Sequence, residues 1–295
     1  MLIYKMLHSA GKNMRKLLPF FFQRDKISIL IMNREENSMV FTVDAGNTNI
    51  VLGAYDNDEK LVFTARIATE ASKTEDQYAV TFYQLITLNG IDRSGFDGAI
   101  ISTVVPPLVT PLKNAVRKLL GVEPLVVGPG IKTGLNIRLD NPAILGADLV
   151  CGAVGALLKY KPPLIIFDFG TATTISGIDS TGAFLGGSII PGINVSLKAL
   201  SSSAAQLQDI NTDSGSIGVI GTNTIDSMRS GSILGSASMM DGMISRYKEV
   251  LGEDATVVAT GGLASSVTPY CKTEGIILDN DLLLDGLLAI YRRNK

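Results

Sequence analysis

The sequence predicts an α/β fold built from two similar halves that face one another across a cleft, and three observations predict it. An apolar strand running into an aspartate and a glycine turn occurs twice, at Asp44-Ala45-Gly46 and at Asp168-Phe169-Gly170. Each occurrence opens a meander of three strands. Each meander is followed by alternating helical and strand patterns, the order of a layered α/β unit rather than of a bundle or a sandwich.

In the first half, an apolar strand runs from Met39 to Asp44, and strands Asn49 to Tyr55 and Leu61 to Thr69 complete the meander. An amphipathic helix is predicted over Glu75 to Leu88, a strand over Gly98 to Val104, and a helix over Pro107 to Leu120, where proline suits the first turn. A short strand follows at Pro124 to Val127. The second half repeats the plan with strands Leu164 to Asp168, Thr174 to Asp179 and Ala183 to Ile190. Helices are expected around Asn194 to Gln208 and Thr224 to Leu251, then a strand Thr256 to Ala259, a short helix, and a last helix Asp281 to Arg293. The expected division is 39–158 and 159–295.

Residues 1–38 differ in character, mixing Lys5, Lys12, Arg15 and Lys16 with Leu17, Leu18, Phe20, Phe21 and Phe22. The apolar run is too short to span a bilayer, and no clear cleavage site follows it. Two readings are open. Translation starts at Met39, Arg34-Glu35-Glu36 being encodable by a purine-rich ribosome-binding stretch, or the segment is a real N-terminal tail.

The bulk numbers narrow the function. At 295 residues, with 46% hydrophobic and 18% charged residues, the chain can bury substantial cores. A formal net charge of -2 offers no long-range attraction for nucleic acid or an anionic membrane, so neither is expected as a partner. Cys151 and Cys271 lie far apart and outside metal-ligand spacing, which fits a reducing cytoplasm. The single histidine, His8, lies in the N-terminal stretch, so acid–base chemistry falls to carboxylates.

The two aspartate turns stand 124 positions apart (168 minus 44), and each supplies a carboxylate and a tight turn. In Asp44-Ala45-Gly46-Asn47-Thr48-Asn49, Gly46 lets successive N–H groups converge on a phosphate, and Asn47, Thr48 and Asn49 add side-chain donors. Asp44 would repel a phosphate, so its chemical role is to hold Mg2+ beside one, through water. An Asx turn in a hairpin accounts for one such loop; the second, facing it, points to phosphate loops on both walls of a cleft. That is the geometry of duplicated ribonuclease-H-like domains, as in actin-like ATPases and sugar kinases. A Gly-x-x-x-x-Gly-Lys-Ser/Thr loop, the protein-kinase motif set and a dinucleotide fingerprint are all absent from the sequence.

From Met39 nearly to the C-terminus the sequence resembles the type III pantothenate kinases. The resemblance rests on the Asp44 loop, Lys73-Thr74-Glu75-Asp76, Val104-Val105-Pro106-Pro107, Gly128 to Leu135, Gly146-Ala147-Asp148, Asp168 to Thr174, Pro191-Gly192-Ile193, Asn223-Thr224, Ser230-Gly231 and Ala259 to Leu263. It implies transfer of the ATP γ-phosphate to the 4'-hydroxyl of pantothenate, the first step of coenzyme A synthesis, in a homodimer. It extends the nucleotide-binding stretch through Ile50 and Val51, and makes Asp148 the general base. It further implies a K+ or NH4+ ligand in Asp168, an ATP contact in Thr171, an adenosine motif in Gly261-Gly262, and acceptor contacts in Gly146, Ala147 and Thr224. Without the resemblance, Asp148 and Thr224 read as helix N-caps and the glycine pair as a turn.

Two positions depart from that family's pattern. Leu149 stands where an arginine usually follows the aspartate, and Leu139 where a tyrosine contacts the acceptor. A planar guanidinium suits a carboxylate, and leucine cannot imitate it. Three readings therefore stand: a pantothenate kinase with a compensating residue such as Arg138, a weakened kinase for another hydroxyl acceptor, or a non-catalytic nucleotide-binding accessory protein. Retention of Asp44, Asp148, Asp168 and Thr171 favours chemistry.

Overall fold

The structure, a computed structural model, describes residues 38–204, 206–210 and 217–295. The reading of residues 1–38 as a tail or an untranslated stretch falls, but for Ser38, outside them. Among the described residues, eleven strands form two sheets: β1 (Met39–Ala45), β2 (Asn49–Tyr55), β3 (Leu61–Ala68), β4 (Phe96–Thr103), β5 (Leu125–Val126), β6 (Asn136–Ile137), β7 (Leu164–Phe169), β8 (Ala172–Ile178), β9 (Ala183–Pro191), β10 (Thr256–Thr260) and β11 (Ile277–Leu278).

The first sheet has the order β3-β2-β1-β4-β5 and the second β11-β10-β7-β8-β9-β6. In each, a meander pairs antiparallel while the first strand pairs parallel with a strand that returns after helices. Reading β7 to β11 onto β1 to β5 reproduces the whole plan, so the duplicated ribonuclease-H-like, actin-like architecture is the fold of this chain. Strand β6 has no counterpart in the first sheet. It leaves the first half and adds itself, parallel, to the outer edge of β9.

The helices are α1 (Glu75–Leu88), α2 (Val109–Leu120), α3 (Ala147–Lys159), α4 (Ile193–Ser203), α5 (Thr224–Arg229), α6 (Gly235–Leu251), α7 (Ala264–Val267) and α8 (Leu282–Arg293). Helix α1 starts on a capping box in which Thr74 accepts from the Gln77 N–H and the Gln77 side chain accepts from the Thr74 N–H. Its Tyr78, Phe82 and Ile86, spaced by four, are buried on one face. Phe82 and Phe96 meet Phe41 of β1 edge-on at 5.8 and 5.5 Å between ring centroids. Burying a side chain of that size contributes about 1.5–3 kcal/mol, so this contact fixes the helix on its sheet.

Where the sequence suggests one helix over 224–251, α5 and α6 are joined by a π-helical turn, Ser230–Leu234. The Ser230 hydroxyl is drawn out of the run to donate to the Val219 carbonyl at 2.7 Å. The helix expected over 194–208 ends at Ser203.

Helix α3 lies between the two sheets. Its Val150, Cys151 and Val154 pack with Val40, Tyr55 and Ile100 of the first sheet, and its Ala153 and Ala156 with Leu164, Ile166 and Val258 of the second. The C-terminal α8 returns to the first sheet, burying Leu284, Leu287, Leu288, Ile290 and Tyr291 in the same cluster as Val40 and Ile100. Helices α3 and α8 cross with their backbones touching: a Cβ on Gly286 would lie 1.9 Å from the Cys151 carbonyl oxygen, and one on Gly155 2.1 Å from that of Leu282. Among the described residues, no helix is long and apolar enough to cross a membrane.

Candidate active site

The two aspartates occupy matched places, each the penultimate residue of the first strand of its meander. Asp44 lies opposite Ser102 on the parallel neighbour β4, and Asp168 opposite Thr260 on β10. Backbone bonds close the turns after them, Gly46 N to Asn49 O at 2.9 Å and Gly170 N to Ala172 O at 3.1 Å. The first loop is also pinned from just beyond β3, where the Thr69 hydroxyl donates to the Gly46 carbonyl and the Thr69 N–H to the Thr48 carbonyl. A parallel sheet leaves its strand ends and their N–H groups open, which is why ligands of open α/β sheets bind there.

The loops meet. The hydroxyls of Thr48 and Thr171 lie 2.7 Å apart, across 123 residues of sequence. Beneath them is a cleft of about 210 Å³ lined by Asp44, Gly46 to Asn49, Val51, Asp148, Asp168, Thr171, Gly261 and Gly262, with Arg66 of β3 among them. Ala45 and Ile50 are buried in the strands beneath the loop and hold it rather than face the cleft.

Asp148 reaches the cleft from the first turn of α3. The N-cap of α3 is Gly146, not Asp148, and a Cβ on Gly146 would sit 2.5 Å from the Asp148 Oδ1, so a side chain there would push the carboxylate aside. That oxygen accepts from the Leu149 N–H at 2.8 Å. Ala147 packs with the cluster under the first sheet.

Three carboxylates thus share one cleft. Burial pushes Asp44 up to about 7, and the charges of Asp148 and Asp168 add to this, while the Ser102 hydroxyl and the Arg66 guanidinium oppose it. Asp168 is pushed up to about 6 by burial and then by Asp148, against Arg66. Burial also raises Asp148, against the N–H it accepts from Leu149. The excess of negative charge suits a site completed by a cation. Among the described residues, no group of three His, Cys, Asp or Glu side chains is close enough to hold a metal by itself. A cation here would take most of its ligands from water and phosphate, as Mg2+ does at nucleotides.

Gly261 and Gly262 are explained by the same geometry. Gly261 has φ 92°, and a Cβ on it would stand 2.4 Å from Asp168 Oδ1 and 2.6 Å from the Phe169 N. A Cβ on Gly262 would stand 2.9 Å from Arg66 Nη1. The pair therefore fits between an acid and a base of the cleft.

The other acceptor residues are placed differently. Leu149 lines a small recess beside Asp148, apolar on the side of Ala153, Ile166 and Leu283 and polar on the side of Asp168, Thr174 and Ser176. Leu139 packs in the cluster under the second sheet, its side chain against Gly186 of β9. Thr224 opens onto a second groove, between α4 and α5, which shares no lining residue with the cleft. It follows the N-cap rather than forming it: Asn223 accepts from the Asp226 N–H. Arg138, the candidate to compensate for Leu149, pairs with Asp179 at 3.1 Å and does not line the cleft. Arg66 was not foreseen, because one arginine at an outward position of an alternating strand carries no signal in the sequence.

A family model described as type III pantothenate kinase matches residues 40–246. Curated proteins named type III pantothenate kinase are similar over nearly the same length. One from Exiguobacterium sp. (strain ATCC BAA-1283 / AT1b) is 44% identical over 87% of this chain and 100% of its own, and one from Exiguobacterium sibiricum is 45% identical over the same shares. Among solved structures, a putative 2-dehydro-3-deoxygalactonokinase protein from Sinorhizobium meliloti superposes with a TM-score of 0.51 at 12% identity, over 86% of this chain and 96% of the other. That likeness concerns the fold alone.

Proposed function

The chain belongs to the type III pantothenate kinase family, and from that premise we propose that it transfers the γ-phosphoryl group of ATP to the 4'-hydroxyl of pantothenate, opening coenzyme A synthesis. The observation that carries the reading is the convergence of Asp148 with both phosphate loops on one cleft.

Asp148 is proposed as the general base. One of its oxygens is occupied by the Leu149 N–H, which leaves the other to accept the acceptor's hydroxyl proton. A carboxylate whose proton affinity burial has raised is a better base than a solvated one. The loop Asp44 to Val51, Thr171 and Gly261-Gly262 would hold the nucleotide, with N–H groups and hydroxyls on the phosphates and the side-chain-free glycine pair against the remainder. Asp44 would hold Mg2+ through water, and Asp168 a K+ or NH4+ ion. When bound, these cations neutralise charge on the transferred phosphoryl group. The division into lobes 39–158 and 159–295, each giving one phosphate loop, belongs to the same proposal.

A cytoplasmic location is proposed with it, in keeping with two free thiols, Cys151 and Cys271. So is a homodimer, in keeping with Thr224 lying on a groove apart from the cleft of its own chain. Leu149, which brings no cation to the recess it lines beside Asp148, favours a second reading, an acceptor that lacks the pantothenate carboxylate.

The test is turnover with ATP, Mg2+ and K+. Pantothenate should be phosphorylated, pantetheine serving as the neutral comparison. A protein that binds ATP and phosphorylates pantetheine alone would replace the first reading by the second, and one that phosphorylates neither would overturn both.

A further inference from the structure

Among the described residues, Arg66 is the one Lys, Arg or His side chain lining the cleft, against three aspartates. It sits on β3 opposite Val51, the residue that ends the phosphate-loop stretch. Its charge is felt at both loop aspartates, since it opposes the rise of Asp44 and of Asp168. Yet it forms no ion pair within 4 Å and no hydrogen bond among the described residues, so its donors are left unengaged. The end of the guanidinium overlies Gly262, where any side chain would displace it.

Three carboxylates with one guanidinium leave the cleft at a net charge of about -2 when all are ionised, so a polyanion needs a fixed donor group as well as a metal. Lysine serves that need in P-loop proteins, and this chain has no such loop. We propose that Arg66 is the nucleotide-anchoring cation of the cleft, its guanidinium clamping the triphosphate from the β3 side and Gly262 keeping its path open. The inference rests on ATP being the donor. It assigns to one residue the charge that the two phosphate loops, which carry only neutral donors and acids, do not supply. A planar fork binds two phosphate oxygens at once, so lysine should replace it only in part.

The experiment is calorimetric titration of ATP and of adenosine into the wild-type chain, Arg66→Met and Arg66→Lys, with KM measured for both substrates. Because Arg66 is exposed and forms no ion pair or hydrogen bond among the described residues, the variants should fold as the parent does, which circular dichroism checks. Arg66→Met should lose about tenfold or more in ATP affinity, the size of a lost charge-assisted pair, with adenosine affinity unchanged within about twofold. Arg66→Lys should recover part of the loss. Unchanged ATP affinity in Arg66→Met would make the residue a solvated surface charge and overturn the proposal. So would a tenfold rise in the acceptor KM alone, which would make Arg66 the acceptor's carboxylate partner. A wild-type chain that binds no ATP would instead overturn the donor assignment on which the inference stands.

Discussion

The hydroxyl of Thr48 lies 2.7 Å from that of Thr171, so the turn after β1 and the turn after β7 are hydrogen-bonded to one another across the mouth of the cleft. Two halves that are distant in sequence therefore close on one atom pair, at the place where the phosphates of a nucleotide would enter.

Removing either hydroxyl should loosen that closure and also take a donor from the phosphate site. Thr48→Val and Thr171→Val are each expected to weaken ATP binding by about 0.5–1.5 kcal/mol, roughly two- to tenfold. A double-mutant cycle on ATP affinity should show coupling of about 0.5 kcal/mol or more, because the two groups share one bond. Strict additivity would mean that the pair does not act together.

Asp148→Asn should reduce kcat by about a hundredfold to ten-thousandfold while ATP affinity stays within about twofold. Because burial raises its pKa, the acid limb of the pH–rate profile for the parent should lie above the range of a solvated aspartate. An amide variant with parental kcat would remove Asp148 from the chemistry.

Asp44 should cost the ligand-free protein stability at neutral pH. Its pKa is about 7 in the folded chain against 3.8 for a solvated aspartate, so unfolding releases a proton between those values. The Asp44 contribution to stability is then most favourable below about pH 4, falls as pH rises toward 7, and does not recover above it. Asp44→Asn should raise the melting midpoint at pH 8, with the difference shrinking toward zero near pH 4, and should abolish activity. Melts across that range in nucleotide-free and metal-free buffer decide it; a variant no more stable than the parent at pH 8 would contradict the burial argument. This is the pattern expected where a site is kept charged for function at the expense of the fold.

The crossing of α3 and α8 leaves no room for a side chain. Gly286→Ala should destabilise the chain by about 1–3 kcal/mol or more, since the added methyl would lie 1.9 Å from a backbone oxygen and neither helix can give way without moving its sheet. Urea unfolding measures this directly, and a change under about 0.5 kcal/mol would show that the helices slide.

Much of this was legible in the sequence because the fold repeats a strong local pattern. An apolar strand, an aspartate and a glycine turn mark β1 and β7, and the paired strands after them show the alternation of half-buried sheet. Helix α3 carries no such mark. With Ala153 and Ala156 against one sheet and Val150, Cys151 and Val154 against the other, it is apolar nearly all round and has no periodicity to read. Strands β6 and β11 are two residues each, too short for any pattern. The Asp148 carboxylate could be assigned only through resemblance, since an acid in a helix's first turn is ordinarily there for the helix. Arg66 depends on tertiary placement alone: its neighbours in sequence, Ala65 and Ile67, turn toward the core, and only the fold reveals what the opposite side of β3 overlooks.

The return of α8 to the first sheet bears on how the protein is made. A ribosome delivers β1, β2, β3 and β4 early, with Val40, Tyr55 and Ile100 on one side of the sheet, but α3 covers them only in part and the leucines that complete the cover emerge only with α8. The sheet begun first is the one finished last. Until α8 is made, that apolar face is covered only in part, by Val150, Cys151 and Val154 of α3, so the nascent chain should depend on holding chaperones until α8 has emerged. A frameshift or nonsense change that removes only the terminal helix should send the product to degradation, although every residue of both phosphate loops has been translated.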